Sequence, residues 1–151
     1  MKIDLRKGRY LKEEVLICPV STEVLKGLDG KDAITKKICQ VRALGDFKGN
    51  AEESYCFTMD KIQDVKRVLL VGLGDEKSIG QEVIRRSYSI AIRKVHSLKI
   101  KRVATIVPAC NMPVQQLAES MVEGVELSNY FFQKYISKKE GKRLPIESLS
   151  I

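Results

Sequence analysis

The segment from Lys66 to Gly74, KRVLLVGLG, constrains the fold of this chain more than any other. A basic pair precedes the apolar run Val68–Val71, which ends in Gly72-Leu73-Gly74 before an amphipathic stretch opens at Asp75. This order predicts a buried strand, a glycine turn and the start of a helix. The turn therefore lies at the carboxyl end of a sheet strand, where open α/β folds hold their ligands.

The next segments extend this pattern into a βαβ unit. Ser78 and Gln81 form a predicted capping box for the helix. Its apolar face follows at spacings of four, three, four and three residues, and a strand over 103–107 is then stopped by Pro108. The two strands should be parallel and joined by a right-handed crossover. The residues of the helix face are Ile84, Tyr88, Ala91, Val95 and Leu98.

Upstream segments predict further elements of the same sheet. Residues 15–20 read as an early strand and residues 2–5 as another, while helical spacing from Lys31 ends near Gly45. Residues 55–59 are rich in strand formers and should lie beside the strand over 65–71.

Downstream, Pro113 marks the first turn of a long helix. Gly124 in its middle predicts a close contact with a neighbouring element, because glycine disfavours a helix interior by about 1 kcal/mol relative to alanine. Residues 144–151 predict a returning edge strand. The apolar side of the helix comprises Val114, Leu117, Met121, Val125, Phe132 and Tyr135.

With 151 residues and no internal repeat, the chain is predicted to form a single domain, 1–151. Its four cysteines are too widely spaced for a zinc knuckle or a compact disulfide framework, which favours reduced, mostly buried thiols. The sequence lacks both a signal peptide and an apolar run of the roughly 20 residues needed to span a bilayer. A cytoplasmic protein without membrane contact is expected. The cysteines are Cys18, Cys39, Cys56 and Cys110.

A net charge of +8 suits a polyanionic partner, so a basic nucleic-acid-binding domain is one alternative. The segment from Lys134 to Arg143 holds five basic residues and one acidic residue. A second cluster comprises Arg93, Lys94, Lys99, Lys101 and Arg102. A solvated basic surface is the simpler interpretation.

The Gly72–Gly74 turn is the first candidate for chemistry, because glycines allow close approach of a phosphate to backbone amides. Lys77 stands where the dinucleotide-binding pattern requires a third glycine, and the segment does not match a Walker loop. The glycines therefore favour a role in the turn and its packing.

Other residues give no catalytic constellation. His96 is the only histidine and lies near no recognisable nucleophile motif. The pairs Glu13-Glu14 and Glu52-Glu53 read as surface charge, and Asp75-Glu76 suits a helix start for dipole reasons alone. No catalytic, cofactor-binding or metal-binding residue is assigned in this chain.

The order of these segments resembles the amino-terminal domain of the leucyl (cytosol) aminopeptidase family. The resemblance covers roughly residues 15–139 and includes the loop Gly45-Asp46-Phe47-Lys48-Gly49. It also rests on the run Val68–Gly74, the strand over 103–107, and Glu119, Glu123, Gly124, Leu127, Tyr130, Phe132 and Tyr135.

The resemblance implies a macro-domain-like, three-layer α/β/α fold with a mixed, mostly parallel sheet. In a full-length member it also implies a following catalytic domain, which holds two divalent metals, manganese or zinc, and removes amino-terminal residues from peptides. That domain's metal-binding pattern does not occur here, so an excised domain or truncated product is expected and no catalytic residue is transferred.

The resemblance further implies an accessory role in assembly and regulation. The implied partners are the parent's catalytic domain and further copies in a homo-oligomer, and some relatives bind DNA. A stand-alone macro-like module that binds a nucleotide or an ADP-ribose-like ligand stays open as an alternative.

Overall fold

The computed structural model describes residues 2–4, 13–60, 65–130 and 146–151, and these form a six-stranded sheet in the order β1-β6-β5-β2-β4-β3. Among these strands only β3 is antiparallel to its neighbour. The predicted mixed, mostly parallel sheet is thus confirmed. The strands are β1 (Lys2–Asp4), β2 (Val15–Ser21), β3 (Ser54–Thr58), β4 (Arg67–Gly74), β5 (Arg102–Thr105) and β6 (Ser148–Ser150).

Helices cover both faces of the sheet. These are α1 (Thr22–Gly27), α2 (Ala33–Leu44), α3 (Gln81–Ser97) and α4 (Val114–Asn129). Alternate residues of β2 point to opposite layers: Ile17 joins the core under α3 and α4, whereas Leu16 joins the core under α1 and α2. Every residue of β2 is buried, as expected for a strand covered on both faces. The three-layer α/β/α architecture is confirmed.

The predicted βαβ unit is present as β4, α3 and β5, and its two strands are parallel. They are not adjacent, because β2 lies between them. The predicted capping box at Ser78 and Gln81 is wrong. Ser78 belongs to a short 3-10 turn over Glu76–Ser78, and α3 begins after Gly80, which makes no side-chain cap bond.

The prediction that residues 144–151 form an edge strand is also wrong. Within the described residues, β6 pairs with β1 on one side and β5 on the other, so that Leu149 lies beside both Ile3 and Val103. The outer position is taken by β1, from the opposite end of the chain. Leu144 and Pro145 lie outside the described residues.

Helix α4 buries Leu117, Met121 and Val125 as predicted, but Val114 is exposed. It ends at Asn129 because Tyr130 adopts an extended backbone conformation, and the predicted positions Phe132 and Tyr135 lie outside the described residues.

The close contact predicted at Gly124 is confirmed. A Cβ there would lie 2.6 Å from the Arg85 carbonyl oxygen on α3. The absence of a side chain at this position lets α3 and α4 pack with their backbones close together.

All four cysteines are free thiols, in agreement with the sequence. Only Cys18 is fully buried, however, and burial raises the pKa of its thiol to about 12. Cys39, Cys56 and Cys110 are half-buried. The prediction of mostly buried thiols therefore holds strictly for one of the four.

Candidate functional site

The carboxyl edge of the sheet contains the point where chain connections diverge. Strand β2 leads through α1 and α2 toward β3 and β4, whereas β5 leads through α4 to β6 on the other side. Ligands of open α/β folds bind at such topological switch points. The candidate site is therefore the crevice between the ends of β2 and β5.

Strand β5 stops before β2 does, which opens this crevice. The last bond between them runs from the Ile106 N–H to the Ile17 carbonyl oxygen, at 3.2 Å. Backbone groups alternate along a strand, so Pro19 faces the same side as Ile17, beyond the end of β5. Its missing N–H therefore removes no ladder bond, which explains a proline within a central strand.

A buried hydroxyl pair lies at the end of β5. The hydroxyl oxygens of Tyr88 and Thr105 lie 2.8 Å apart, and Thr105 Oγ1 is 3.3 Å from the Ile17 carbonyl oxygen. Burial raises the pKa of Tyr88, which keeps the phenol neutral. Periodicity identified Tyr88 as a core residue, but its hydroxyl partner was not predicted.

Gly72-Leu73-Gly74, the predicted glycine turn, forms the end of strand β4 and packs against the loop over residues 46–53. The Gly72 N–H donates to the Glu53 carbonyl oxygen at 2.7 Å, and the Gly74 N–H donates to that of Gly49 at 2.9 Å. A Cβ on Gly72 would lie 1.8 Å from the Asn50 carbonyl oxygen. Because a phosphate requires free amides, these bonds support a packing role over the phosphate cradle. The predicted turn is wrong, since the apolar strand continues through Gly74 and pairs with β2 as far as Ser21.

The loop over residues 46–53 is also held by the carboxylate of its own residue Glu53. The Glu53 carboxylate accepts hydrogen bonds from the Lys48 and Asn50 amides at 3.0–3.1 Å. Two backbone amides that converge on one carboxylate in this way stabilise its negative charge. Glu53 is thus a half-exposed carboxylate that also holds the loop, whereas Glu52 is exposed and pairs with Arg86 at 3.5 Å.

A second carboxylate joins the ends of β2 and β4. Glu23 accepts from the Glu76 amide at 3.0 Å and from the Thr22 hydroxyl at 2.9 Å, which lowers the pKa of Glu23. Asp75 in turn accepts from the Lys77 amide at 2.8 Å. The carboxylates of Glu23 and Asp75 are thus already bonded to the chain's own amides and hydroxyl.

Glu13 is not a surface residue, contrary to the sequence interpretation. Its side chain is 5% exposed, and the Ser150 hydroxyl donates to it at 2.7 Å. Glu13 is buried because β6 lies inside the sheet, which brings Ser150 close to it. Glu14 lies 3.8 Å from Arg102.

His96 joins three elements of the fold. Its Nε2 atom lies 3.2 Å from Asn129 Oδ1 on α4, which also accepts from the Ile146 amide at 2.8 Å. Since an amide oxygen only accepts, Nε2 is the donor. This buried arrangement supports a structural role for His96.

The residues present do not fit a metal centre. In the described part of the chain, no group of three or more His, Cys, Asp or Glu side chains is placed to hold an ion. The carboxylates of Glu23 and Glu53 are engaged with backbone amides, which leaves no convergent set of oxygen ligands at the carboxyl edge.

The opposite, amino edge carries the basic cluster. Lys101 pairs with Glu147 at 2.7 Å and Arg102 with Glu14 at 3.8 Å, while Arg93, Lys94 and Lys99 are exposed. The segment from Lys134 to Arg143 lies outside the described residues. None of the helices described is long and apolar enough to cross a bilayer.

Comparison with known families gives a match over most of the chain. Residues 20–139 match the model of the cytosol aminopeptidase family, N-terminal domain. A probable cytosol aminopeptidase of Clostridium perfringens is 28% identical over 137 residues, covering 90% of this chain and 27% of the relative. A probable cytosol aminopeptidase of Aquifex aeolicus is 27% identical over 118 residues, covering 78% of this chain and 24% of the relative. The chain thus spans about a quarter of the length of these relatives.

Solved structures with the same fold include an enzyme and a macrodomain. A mutant of tomato leucine aminopeptidase has a TM-score of 0.75 at 15% identity, with 99% of this chain and 32% of that chain covered. The macrodomain of Mycobacterium tuberculosis DarG has a TM-score of 0.66 at 11% identity and covers 98% and 95%. The bottromycin maturation enzyme BotP, in complex with Mn, has a TM-score of 0.65 at 19% identity and covers 91% and 26%.

Proposed function

Because the chain belongs to the cytosol aminopeptidase family and matches its amino-terminal domain, we propose that it is the accessory domain of a metal-dependent leucyl aminopeptidase. The parent enzyme removes amino-terminal residues from peptides, and its chemistry resides in a catalytic domain outside this chain. The observation that carries the proposal is the family match over residues 20–139, in a chain that corresponds to a quarter of its relatives.

The arrangement of the carboxyl edge supports a non-catalytic role. The amides of Gly72 and Gly74 and the carboxylates of Glu23 and Glu53 are engaged within the chain. An active site instead requires groups that are free to meet a substrate. We infer that this chain contributes assembly and regulation rather than bond cleavage.

We propose that divalent manganese or zinc serves the catalytic domain. Such ions activate water for attack on a peptide carbonyl, and paired ions stabilise both attacking and leaving groups. The structural relative BotP carries Mn in one of its structures. The residues of this chain that the structure describes do not fit such a centre, so no step is assigned to them.

The proposed partners are the catalytic domain and further copies of the same protein in a homo-oligomer. Association of identical subunits is common among soluble proteins and would use surfaces of both domains. A cytoplasmic location agrees with relatives that are named cytosol aminopeptidases.

The reading frame beyond Ile151 and the activity of its product test the proposal together. We expect an in-frame catalytic domain, hydrolysis of a leucyl peptide by the full-length protein, loss of activity with a chelator, and recovery with Mn²⁺ or Zn²⁺. The 151-residue chain alone should not hydrolyse the peptide. A frame that ends without such a domain, or hydrolysis by the short chain, would contradict the proposal.

The nucleotide-binding alternative has less support. The likeness to macrodomains concerns the fold, and fold alone does not assign a ligand. The carboxylates of Glu23 and Asp75 lie just beyond the ends of β2 and β4, where negative charge disfavours a phosphate. The glycine amides that would bind it already have carbonyl partners.

The nucleic-acid alternative rests on the charge of the amino edge. Phosphate contacts by exposed lysines give salt-sensitive affinity without sequence preference. Two of the five basic residues there, Lys101 and Arg102, lie beside Glu147 and Glu14. This pairing reduces the positive potential, so we favour a solvated basic surface.

A further inference from the structure

The stretch over residues 103–118 contains no Asp, Glu, Lys or Arg, although these residues make up 30% of the chain. Its first part is the buried strand β5, whose surroundings explain the lack of charge. Its remaining part, residues 106–116, runs along the carboxyl edge and into the first turn of α4. We call residues 106–116 the uncharged edge segment.

The uncharged edge segment is fixed on one side and open on the other. Cys110 and Met112 pack against the core under α3 and α4, and Ile106 packs against the other core. Val107 and Val114 are instead 55% and 79% exposed. Anchored apolar surface without charge is typical of the centre of a protein interface, where charged residues are depleted.

The position of Ile151 relates this segment to the rest of the parent enzyme. Ser150 pairs with Ala104 in parallel register, so Ile151 leaves the sheet at the carboxyl edge, beside the end of β5. Ile151 also packs against the same core as Cys110 and Met112. A polypeptide that continues from Ile151 therefore emerges next to the uncharged edge segment.

We propose that the uncharged edge segment is the surface on which the parent's catalytic domain docks. This inference rests on the proposed function, because the occupant is the remaining three quarters of a cytosol aminopeptidase. A covalent connection that starts at Ile151 raises the local concentration of that domain at this edge. Docking there would cover Val107 and Val114.

The test uses the full-length protein and a pair of matched variants. The double variant Val107→Glu/Val114→Glu places carboxylates in the proposed interface, whereas Leu44→Glu places one on an equally exposed residue, 76%, at the end of α2. We expect the double variant to increase proteolytic cleavage after Ile151 and amide exchange over residues 106–116 by about tenfold, because unpaired charges disfavour burial. The Leu44→Glu variant should leave both rates unchanged.

Each other outcome decides against the docking proposal or the proposed function separately. Equal rates of cleavage and amide exchange in both variants would overturn the docking proposal but would not bear on the proposed aminopeptidase function. Concentration-dependent protection of residues 106–116 in the 151-residue chain alone would assign the surface to a second copy instead. Absence of peptide hydrolysis by the unmodified full-length protein would refute the proposed function, whereas the exchange measurement would still report on docking. Equal unfolding temperatures of the variant and unmodified short chains would exclude misfolding as the cause.

Discussion

The two edges of the sheet differ in how their charged groups are used. At the carboxyl edge, Glu23 and Glu53 accept hydrogen bonds from backbone amides and thereby hold connections in place. At the amino edge, Lys101 and Glu147 form a pair between half-exposed side chains. Charged groups at one edge therefore bond to backbone amides, whereas the pair at the other edge joins two side chains.

The two edges differ because their charged groups have different hydrogen-bond partners. An amide held by a strand end or turn has a fixed direction, so a carboxylate that meets it gains a charge-assisted bond. Two flexible side chains in water lose rotamer freedom when they pair, and solvent screens their attraction. We therefore expect substitutions at the carboxyl edge to have larger effects.

The largest expected effect is that of Gly72→Ala. The added Cβ would lie 1.8 Å from the Asn50 carbonyl oxygen, so strand β4 or the loop over residues 46–53 must shift. We expect a loss of about 3 kcal/mol in the free energy of unfolding, measured with urea. In the control Gly27→Ala the new methyl meets nothing within 4 Å, and the change should stay within about 1 kcal/mol. Equal effects in the two variants would show that the edge is loosely packed.

An intermediate effect is expected for Glu53→Ala. Removal of the carboxylate leaves the Lys48 and Asn50 amides without this acceptor, and we expect a loss of about 2 kcal/mol. The matched variant at the amino edge, Glu147→Ala, removes only the exposed pair with Lys101 and should lose about 0.5 kcal/mol or less. The free energies of unfolding of both variants can be measured with urea. Equal losses would contradict the proposed difference between the two edges.

The smallest effect is a pH dependence at Glu23. Because the folded-state pKa of Glu23 is lowered, its carboxylate stabilises the fold above the ordinary carboxyl pKa. This stabilisation is lost as the pH falls through the folded-state pKa. The difference in unfolding temperature between the unmodified chain and Glu23→Gln should therefore be constant near neutral pH and close in acid. A difference that persists unchanged in acid would contradict the assigned hydrogen bonds.

Periodicity predicted the elements that depend on local burial. The apolar run of β4 and the apolar face of α3 follow from spacing alone, because each is buried continuously along its length. The confirmed contact at Gly124 also came from a local conflict, a glycine within a helix. The family resemblance then predicted the three layers and the mixed sheet, which single segments do not specify.

Long-range pairings were not accessible in the same way. The interior position of β6 depends on β1, and the burial of Glu13 depends on Ser150, 137 residues away. No local pattern marks such partners. The loop held by Glu53 has a weak sequence signal, namely a carboxylate three residues after Asn50. A surface glutamate gives the same sequence pattern.

The pairing of β1 with β6 has a consequence for how the chain is made. During synthesis residues 2–4 leave the ribosome well before residues 148–150, yet in the described sheet β1 pairs with β6 alone. Strand β1 must therefore wait until residues 148–150 have been made before it can join the sheet, and a chain cut before residue 148 would lose both strands rather than one.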